Sequence, residues 1–194
     1  MLKSYLKKTL LISSLLTLIS CATVPTNINI IPDLDLKVDT YTFTNENTWQ
    51  IDSQDLRIER HLVQIVDGDK VAQLINEHQS LRLLIEKNLS DAWANNKLTI
   101  ANQSDYQINI RLIKALATVE EAAVSYEVKS EMVVKIQVTH QGNTYVKLFK
   151  SNNQWEGPFT ASISRITKEL SVQLSELLNQ IIQDQELNDK IQHF

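Results

Sequence analysis

Residues 124–139, with the sequence VSYEVKSEMVVKIQVT, carry the pattern that decides the fold. Apolar side chains occupy most of the even positions, and polar or charged side chains occupy most of the odd ones. Successive side chains of a β-strand point to opposite faces, so this alternation buries one face and leaves the other in water. The stretch therefore predicts a long strand in a sheet that is covered on one side.

The same alternation extends in both directions from this strand. Residues 106–112, YQINIRL, place apolar side chains at every second position, and Tyr145–Phe149 begins a further strand. We expect turns at Glu120–Ala123 and at His140–Asn143. The three strands together predict an antiparallel meander.

Two earlier segments also read as strands. Leu62–Val66 and Val71–Ile75 flank Asp67-Gly68, and an Asp-Gly pair between apolar runs is a strong signal for a β-hairpin. Residues 33–39 alternate acidic or basic side chains with Leu and Val, which predicts a half-buried strand.

Two segments change to a helical period. In residues 78–95 the apolar side chains recur at helical spacing, and either Ser80 or Asn76 with Gln79 can cap the start. Glu156-Gly157-Pro158 is expected to end the last strand, and residues 163–181 then form a helix of about five turns. The fold class predicted is α+β, in two layers, with one antiparallel sheet and two amphipathic helices on one of its faces.

The first 20 residues have the layout of a secretory signal peptide. Lys3, Lys7 and Lys8 precede an apolar run from Thr9 to Ile19 that contains no acidic residue. The run is about half the ~20 residues that a membrane-spanning helix needs. We therefore expect residues 1–20 to be removed rather than to remain as an anchor.

The end of this segment resembles the lipobox of bacterial lipoproteins. Leu18 and Ile19 are followed by the small Ser20 and then by Cys21, the one cysteine of the chain. In lipoproteins the cysteine after cleavage carries the acyl chains, and several chains at ~0.8 kcal/mol per buried CH₂ hold a protein firmly on a membrane. Cys21 is thus the predicted lipid-attachment residue, while an ordinary export signal with an accidental cysteine stays open.

The residue after the cysteine and the segment beyond it suggest where the protein is held. Ala22 stands where an Asp would mark inner-membrane retention in enterobacterial lipoproteins, so the resemblance implies the outer membrane, with the domain facing the periplasm. Residues 21–32, bracketed by Pro25 and Pro32, read as a lipidated cysteine and a short tether of at most ~40 Å. Residues 33–194 would then form a single domain.

Composition and motifs exclude several kinds of function. Without residues 1–20 the chain has 16 basic and 23 acidic side chains, a net charge of −7, and no basic cluster. This argues against a nucleic-acid partner and makes acyl chains the expected link to the membrane. HExxH, GxSxG, GxxxxGK and CxxC patterns are all absent, and the four histidines lie far apart in sequence. We predict no enzyme activity, no metal and no cofactor, although scattered Asp, Glu and His could still converge in space.

Aromatic residues indicate a candidate binding surface. Trp93 falls on the apolar side of the first helix and is expected in the core. Trp155 and Glu156 lie beside the expected strand break and are the candidate surface-binding residues.

The pattern as a whole resembles the YajG-like family of Gram-negative lipoproteins. The resemblance rests on Cys21, on Ser80–Leu84, on the strands through residues 106–150, and on Trp155-Glu156-Gly157-Pro158-Phe159. It implies a small outer-membrane lipoprotein without an assigned enzymatic activity. The leading hypothesis is a non-catalytic envelope accessory protein that binds another envelope protein or cell-wall material. The alternative is a carrier of a lipid or another apolar ligand.

Overall fold

Residues 25–34 and 41–194 are described by the computed structural model. The strands are β1 (Asn27–Ile28), β2 (Thr48–Asp55), β3 (Val63–Asp67), β4 (Gln73–Glu77), β5 (Thr99–Ile100), β6 (Tyr106–Glu121), β7 (Ser125–His140) and β8 (Asn143–Pro158). The helices are α1 (Leu81–Asn95), α2 (Ile163–Ile182) and α3 (Gln185–His193). The α+β class is confirmed. The predicted signal peptide and most of the strand expected at residues 33–39 lie outside the described residues.

The 16-residue strand β6 is the centre of the sheet. One of its edges pairs with β7 in antiparallel orientation, and β7 pairs in the same way with β8. Its other edge is shared by two shorter strands in parallel orientation, β2 beside Tyr106–Leu112 and β3 beside Ala117–Glu121. The sheet is therefore mixed, and the prediction of a single antiparallel sheet is wrong. Alternation reports which face of a strand is buried, and it carries no information on the direction of its neighbour.

A β-bulge at Ile113 switches the buried face of β6. The register with β7 shifts between Leu112 and Lys114. Even-numbered residues of β6 are buried before the bulge, and odd-numbered residues such as Ala117 and Val119 are buried after it. Because β7 keeps its even residues buried throughout, the extra residue in β6 is what keeps the apolar sides of the two strands together.

The helices cover the apolar side chains of this sheet. Ser80 caps α1, because its Oγ accepts a hydrogen bond from the backbone N–H of Leu83 at 3.5 Å. Helix α1 packs against β2, β5 and β6, α2 packs against β7 and β8, and the two helices contact each other. A third helix, α3, is present in addition to the two that the sequence predicts. Asp184 caps its start, and Leu187 and Ile191 on its apolar side are buried. The predicted placement of two helices on one face stays a prediction.

A buried polar link fixes α2 on the sheet. The Ser130 hydroxyl of β7 donates a hydrogen bond of 2.7 Å to Oε1 of Gln173. The Gln173 side-chain amide in turn donates to the carbonyl oxygen of Ser151 in β8 at 2.9 Å. Gln173 is only 2% exposed. One helix side chain thereby joins two neighbouring strands and sets the position of α2 along them.

Residues 25–34, which we name the N-terminal strap, are part of the folded domain. Strand β1 pairs in parallel with β4, with Asn27 opposite Asn76. Ile28 and Ile30 of the strap are buried in the core. The strap then crosses to α2, where two backbone N–H groups of the strap donate to serine hydroxyls of the helix. Apolar residues of the expected tether therefore complete the core, and the domain boundary at Asp33 stays a prediction.

Candidate functional surfaces

The strands β6, β7 and β8 expose one broad face, which we name the outer face. It carries the odd-numbered side chains of β7, the even-numbered ones of β8 and the even-numbered ones of β6 after the bulge. Lys, Glu, Asn and Gln alternate there with isolated Val and Leu. The face is thus polar overall but contains local apolar positions.

One hollow on the outer face has an apolar centre. It has a volume of about 390 Å³ and includes Ile58, Ile113, Val133 and Leu148 in its lining. Val133 is 5% exposed, whereas Ile58 is 91% exposed and Leu148 46% exposed. The loop that connects β2 to β3 brings Ile58 to this place. An exposed aliphatic pair around a buried valine is a surface on which another protein can bury apolar area.

A second hollow adjoins the first. Its volume is about 490 Å³, and it shares Lys114 and Glu131 with the apolar hollow. Nζ of Lys114 lies 2.6 Å from Oε2 of Glu131. The amides of Asn152 and Gln154 also line it, so it offers hydrogen-bond donors and acceptors. We name the two hollows together the outer groove.

A larger cleft of about 870 Å³ lies at the end of the same three strands. Glu120, Glu127 and Glu156 stand directly opposite one another on β6, β7 and β8. Like charges in this arrangement repel, and the repulsion is partly relieved because Lys129 donates to Glu127 at 2.9 Å. The hydrogen bond and charge of Lys129 hold the pKa of Glu127 below its ordinary value. The cleft, which we name the end cleft, is acidic.

The candidate residues Trp155 and Glu156 are adjacent in sequence but point to opposite faces of β8. Glu156 is exposed in the end cleft. Trp155 is half-buried against the core, and its indole N–H has no acceptor among the described residues. The alternation of β8 therefore separates the two residues. Cys21 and the lipobox residues Leu18, Ile19 and Ser20 lie outside the described residues.

The backbone that follows Trp155 and Glu156 takes an uncommon shape. Strand β8 continues through Glu156 and Gly157 and ends at Pro158, the last residue of the expected break. Phe159 then has a φ of +62°, and its backbone N–H donates to the carbonyl oxygen of Val124 at 2.9 Å. A positive φ is rare for a bulky residue. The hydrogen bond holds Phe159 beside the β6–β7 turn, where its side chain is 71% exposed.

No pattern in the sequence predicts the outer groove. Ile58 lies in a charged, irregular segment. Leu148 lies in Tyr145–Phe149, and this short expected strand does not show which of its two faces is buried. The expected core position of Trp93 is confirmed, since its side chain is 0% exposed. Across residues 25–34 and 41–194, no group of three or more His, Cys, Asp or Glu side chains is placed to hold a metal ion. In the same part of the chain, no helix has the length and hydrophobicity needed to cross a membrane.

Comparisons with known proteins give one family match and several solved structures of similar fold. The Lipoprotein_16 family model, described as uncharacterized lipoprotein, matches residues 36–192. A solved protein from Xanthomonas campestris, of the DUF330 family, has a similar fold with a TM-score of 0.53 and 11% identity, over 85% of this chain and 97% of that one. A minor lipoprotein from Acinetobacter baumannii gives a TM-score of 0.41 and 9% identity, over 75% of this chain and 92% of that one. No curated protein sequence matches significantly.

The family-model match decides the family and leaves the activity open. None of the matched descriptions names an enzymatic activity. The prediction of a bacterial lipoprotein family is confirmed, and the narrower YajG-like name stays a prediction. Because the match covers residues 36–192, the chain belongs to this family of uncharacterized lipoproteins.

Proposed function

We propose that this protein is a lipid-anchored, non-catalytic accessory protein of the cell envelope. Acyl chains on Cys21 hold it on the periplasmic side of the outer membrane, and the outer groove docks another envelope protein. Family membership and the sequence Leu18-Ile19-Ser20-Cys21 support the anchor.

The observation that carries the docking role is the apolar centre of the outer groove. Ile58 and Leu148 are exposed on either side of the buried Val133. Burial of apolar surface gives about 25 cal/mol per Å², so covering this pair would supply favourable binding energy. Ile58, at 91% exposure, contributes almost no buried apolar area to the stability of the monomer.

The polar part of the groove suits a protein partner. The Lys114–Glu131 ion pair borders the apolar centre, and the amides of Asn152 and Gln154 line the adjoining hollow. Interfaces between proteins usually have this arrangement, an apolar core within a rim of polar groups that sets the register. A purely apolar ligand would remove water from these polar groups without offering them new hydrogen bonds.

The test is photo-crosslinking in living cells. A photoreactive amino acid is placed at Leu148 or Ile58, and at Val172 of α2 as a control. Val172 is 44% exposed, close to the 46% of Leu148, but it lies outside the groove. We expect one discrete envelope protein to be captured from Leu148 and Ile58 and not from Val172.

A second variant checks that the captured protein is bound by the groove. Leu148→Asp should abolish the crosslink from Ile58, whereas Val172→Asp should leave it unchanged, because a charge in the apolar centre opposes burial. Equal capture from all three positions contradicts docking at the groove. Capture of lipid, or an additional bound mass in native mass spectrometry, would favour a carrier of an apolar ligand instead.

A further inference from the structure

Three strongly exposed apolar side chains lie at the same end of the sheet. Val71 is 94% exposed, and Val124 and Phe159 are each 71% exposed. They belong to three separate segments, the β3–β4 connection, the β6–β7 turn and the residue after β8. Single exposed apolar residues are common on proteins, but these three lie together.

The strand registers bring the three segments to one edge. Asp67, the last residue of β3, is opposite Glu121, the last residue of β6. Glu121 is opposite Tyr126, and Ser125 at the start of β7 is opposite Pro158 at the end of β8. The β3–β4 connection, the β6–β7 turn and Phe159 therefore share this end of the sheet, which we name the apolar end.

The N-terminal strap leaves the domain toward the same end. Strand β1 runs parallel to β4, and the backbone N–H of Asn76 donates to the carbonyl oxygen of Thr26 at 2.8 Å. Thr26 is consequently held beside β4, and Pro25 lies on the side of Thr26 that faces the connection carrying Val71. Pro25 is the first residue described in this strap.

The chain outside the strap is short. Only residues 22–24 separate Cys21 from Pro25, and four steps of extended chain span at most ~14 Å. Acyl chains on Cys21 would thus hold Pro25 within about that distance of the bilayer surface. The exposed apolar side chains are at the end of the sheet that this short connection brings to the lipid.

We propose that the apolar end rests on the lipid bilayer, with Val71, Val124 and Phe159 in contact with the membrane interface. This inference depends on the proposed lipid attachment at Cys21. The outer groove crosses β6, β7 and β8 beside this end. It would then face along the plane of the membrane, where a membrane-bound partner can reach it.

The charges near the apolar end indicate which lipid it prefers. The acidic residues of the end cleft, which Val124 also lines, lie there together with Asp69, and Lys70 pairs with Asp67 at 2.6 Å, so the local charge is negative. Anionic headgroups repel such a surface, whereas ammonium-bearing zwitterionic headgroups do not. The lipid expected beneath it is therefore zwitterionic.

The experiment measures the depth of spin labels on the full-length lipidated protein in phosphatidylethanolamine–phosphatidylcholine vesicles. Cysteines replace Val71, Val124 or Phe159, and Val146 provides the control. Val146 is 51% exposed near the start of β8, at the opposite end of the sheet. The lipidated sulfur of Cys21 does not react, so each label is placed at one position.

We expect collisions with lipid-soluble oxygen, relative to an aqueous nickel chelate, to be several-fold more frequent at the three apolar-end positions than at Val146. Replacing a third of the lipid with phosphatidylglycerol should lower this ratio at Val124. Equal ratios at all four positions overturn the seating on the membrane. An unchanged or higher ratio with phosphatidylglycerol overturns the lipid preference.

The mass of the purified protein separates this inference from the proposed function. If Cys21 carries no acyl chains, the anchor itself fails, and this is known before any label is attached. If Cys21 is acylated and all labels remain in water, the anchor stands and only the seating fails. Combined Val71→Ser, Val124→Ser and Phe159→Asn substitutions should leave acylation intact and lower the ratio of a label on Leu74, which is 50% exposed beside the strap.

Discussion

Gly157 passes so close to Tyr126 that a β-carbon at position 157 would lie 2.6 Å from Cζ of the tyrosine ring. The two residues are opposite each other on β8 and β7. The ring cannot swing away freely, because Nη1 of Arg165 donates to the tyrosine hydroxyl at 3.1 Å. Glycine is therefore required at position 157 because the Tyr126 ring occupies the space of a β-carbon.

Gly157→Ala should lower the free energy of unfolding by about 1–3 kcal/mol, because the added methyl overlaps the ring. Denaturant unfolding measures the change. Tyr126→Ala removes the ring, so in that background the same substitution should cost much less. Gly68→Ala serves as a control, since no atom lies within 4 Å of its added β-carbon and only its φ of +52° opposes the change. Additive effects of the two substitutions at 126 and 157 would contradict the contact.

Gln173→Ala should destabilise the domain by about 2 kcal/mol or more. It leaves the buried Ser130 hydroxyl and the Ser151 carbonyl oxygen without their partner. Gln180→Ala, on the exposed side of the same helix, should change stability by less than about 0.5 kcal/mol. Thermal unfolding of both variants gives the comparison, and similar losses from both would show that the buried link is unimportant.

Arg57 and Arg60 both contact Asp55 but differ in burial. The Arg57 side chain is 2% exposed and also pairs with Glu77 at 2.8 Å, whereas the Arg60 side chain is 64% exposed. Arg57→Gln should cost about 3 kcal/mol, since it leaves two carboxylates without their buried partner. Arg60→Gln should cost less than about 1 kcal/mol. Urea titration at neutral pH distinguishes the two, and equal costs would refute the ranking.

The ion pair between Arg57 and Asp55 predicts that the stability of the protein depends on pH. Burial raises the pKa of Asp55, but the hydrogen bonds and charge of Arg57 outweigh it and hold the pKa below its ordinary value of 3.8. A depressed folded-state pKa stabilises the protein above the unfolded value, and this stability is lost as the pH falls through the folded value. Below about pH 4 stability should therefore decline more steeply in the wild type than in Arg57→Gln. Parallel curves would contradict this assignment.

Two serines of α2 hold the N-terminal strap. Ser171 Oγ accepts from the Ile31 N–H at 3.1 Å, and Ser175 Oγ accepts from the Asp33 N–H at 2.8 Å. Replacing both serines with alanine should speed hydrogen exchange at these two amides by about tenfold, because each loses its acceptor. Ser164→Ala, at an exposed position of the helix, is the control and should leave both rates unchanged.

Cys21→Ser should abolish acylation and leave the precursor uncleaved, because a hydroxyl does not replace the thiol that takes the diacylglycerol. Metabolic labelling with a fatty acid and membrane fractionation measure both effects. Ser20→Ala retains a small residue before the cleavage site and should be processed normally. Normal labelling of Cys21→Ser would refute the anchor.

Local patterns predicted much of the secondary structure. Alternation identified β6, β7 and the start of β8, and helical spacing with Ser80 identified α1. These features depend on residues close together in sequence, whose side chains repeat with the geometry of one element. The predicted lipobox, Leu18-Ile19-Ser20-Cys21, is likewise a linear motif, which is why a lipoprotein family could be predicted from the chain alone.

Only the tertiary structure decided how these elements meet. The parallel pairing of β2 and β3 with β6, the change of face at Ile113 and the burial of Ile30 all join residues that are distant in sequence. A period of two describes the face of each strand but not its neighbour, its direction or an inserted residue. The outer groove and the apolar end follow from those registers, so the sequence determined the elements and the family, and the packing of the elements created the surfaces.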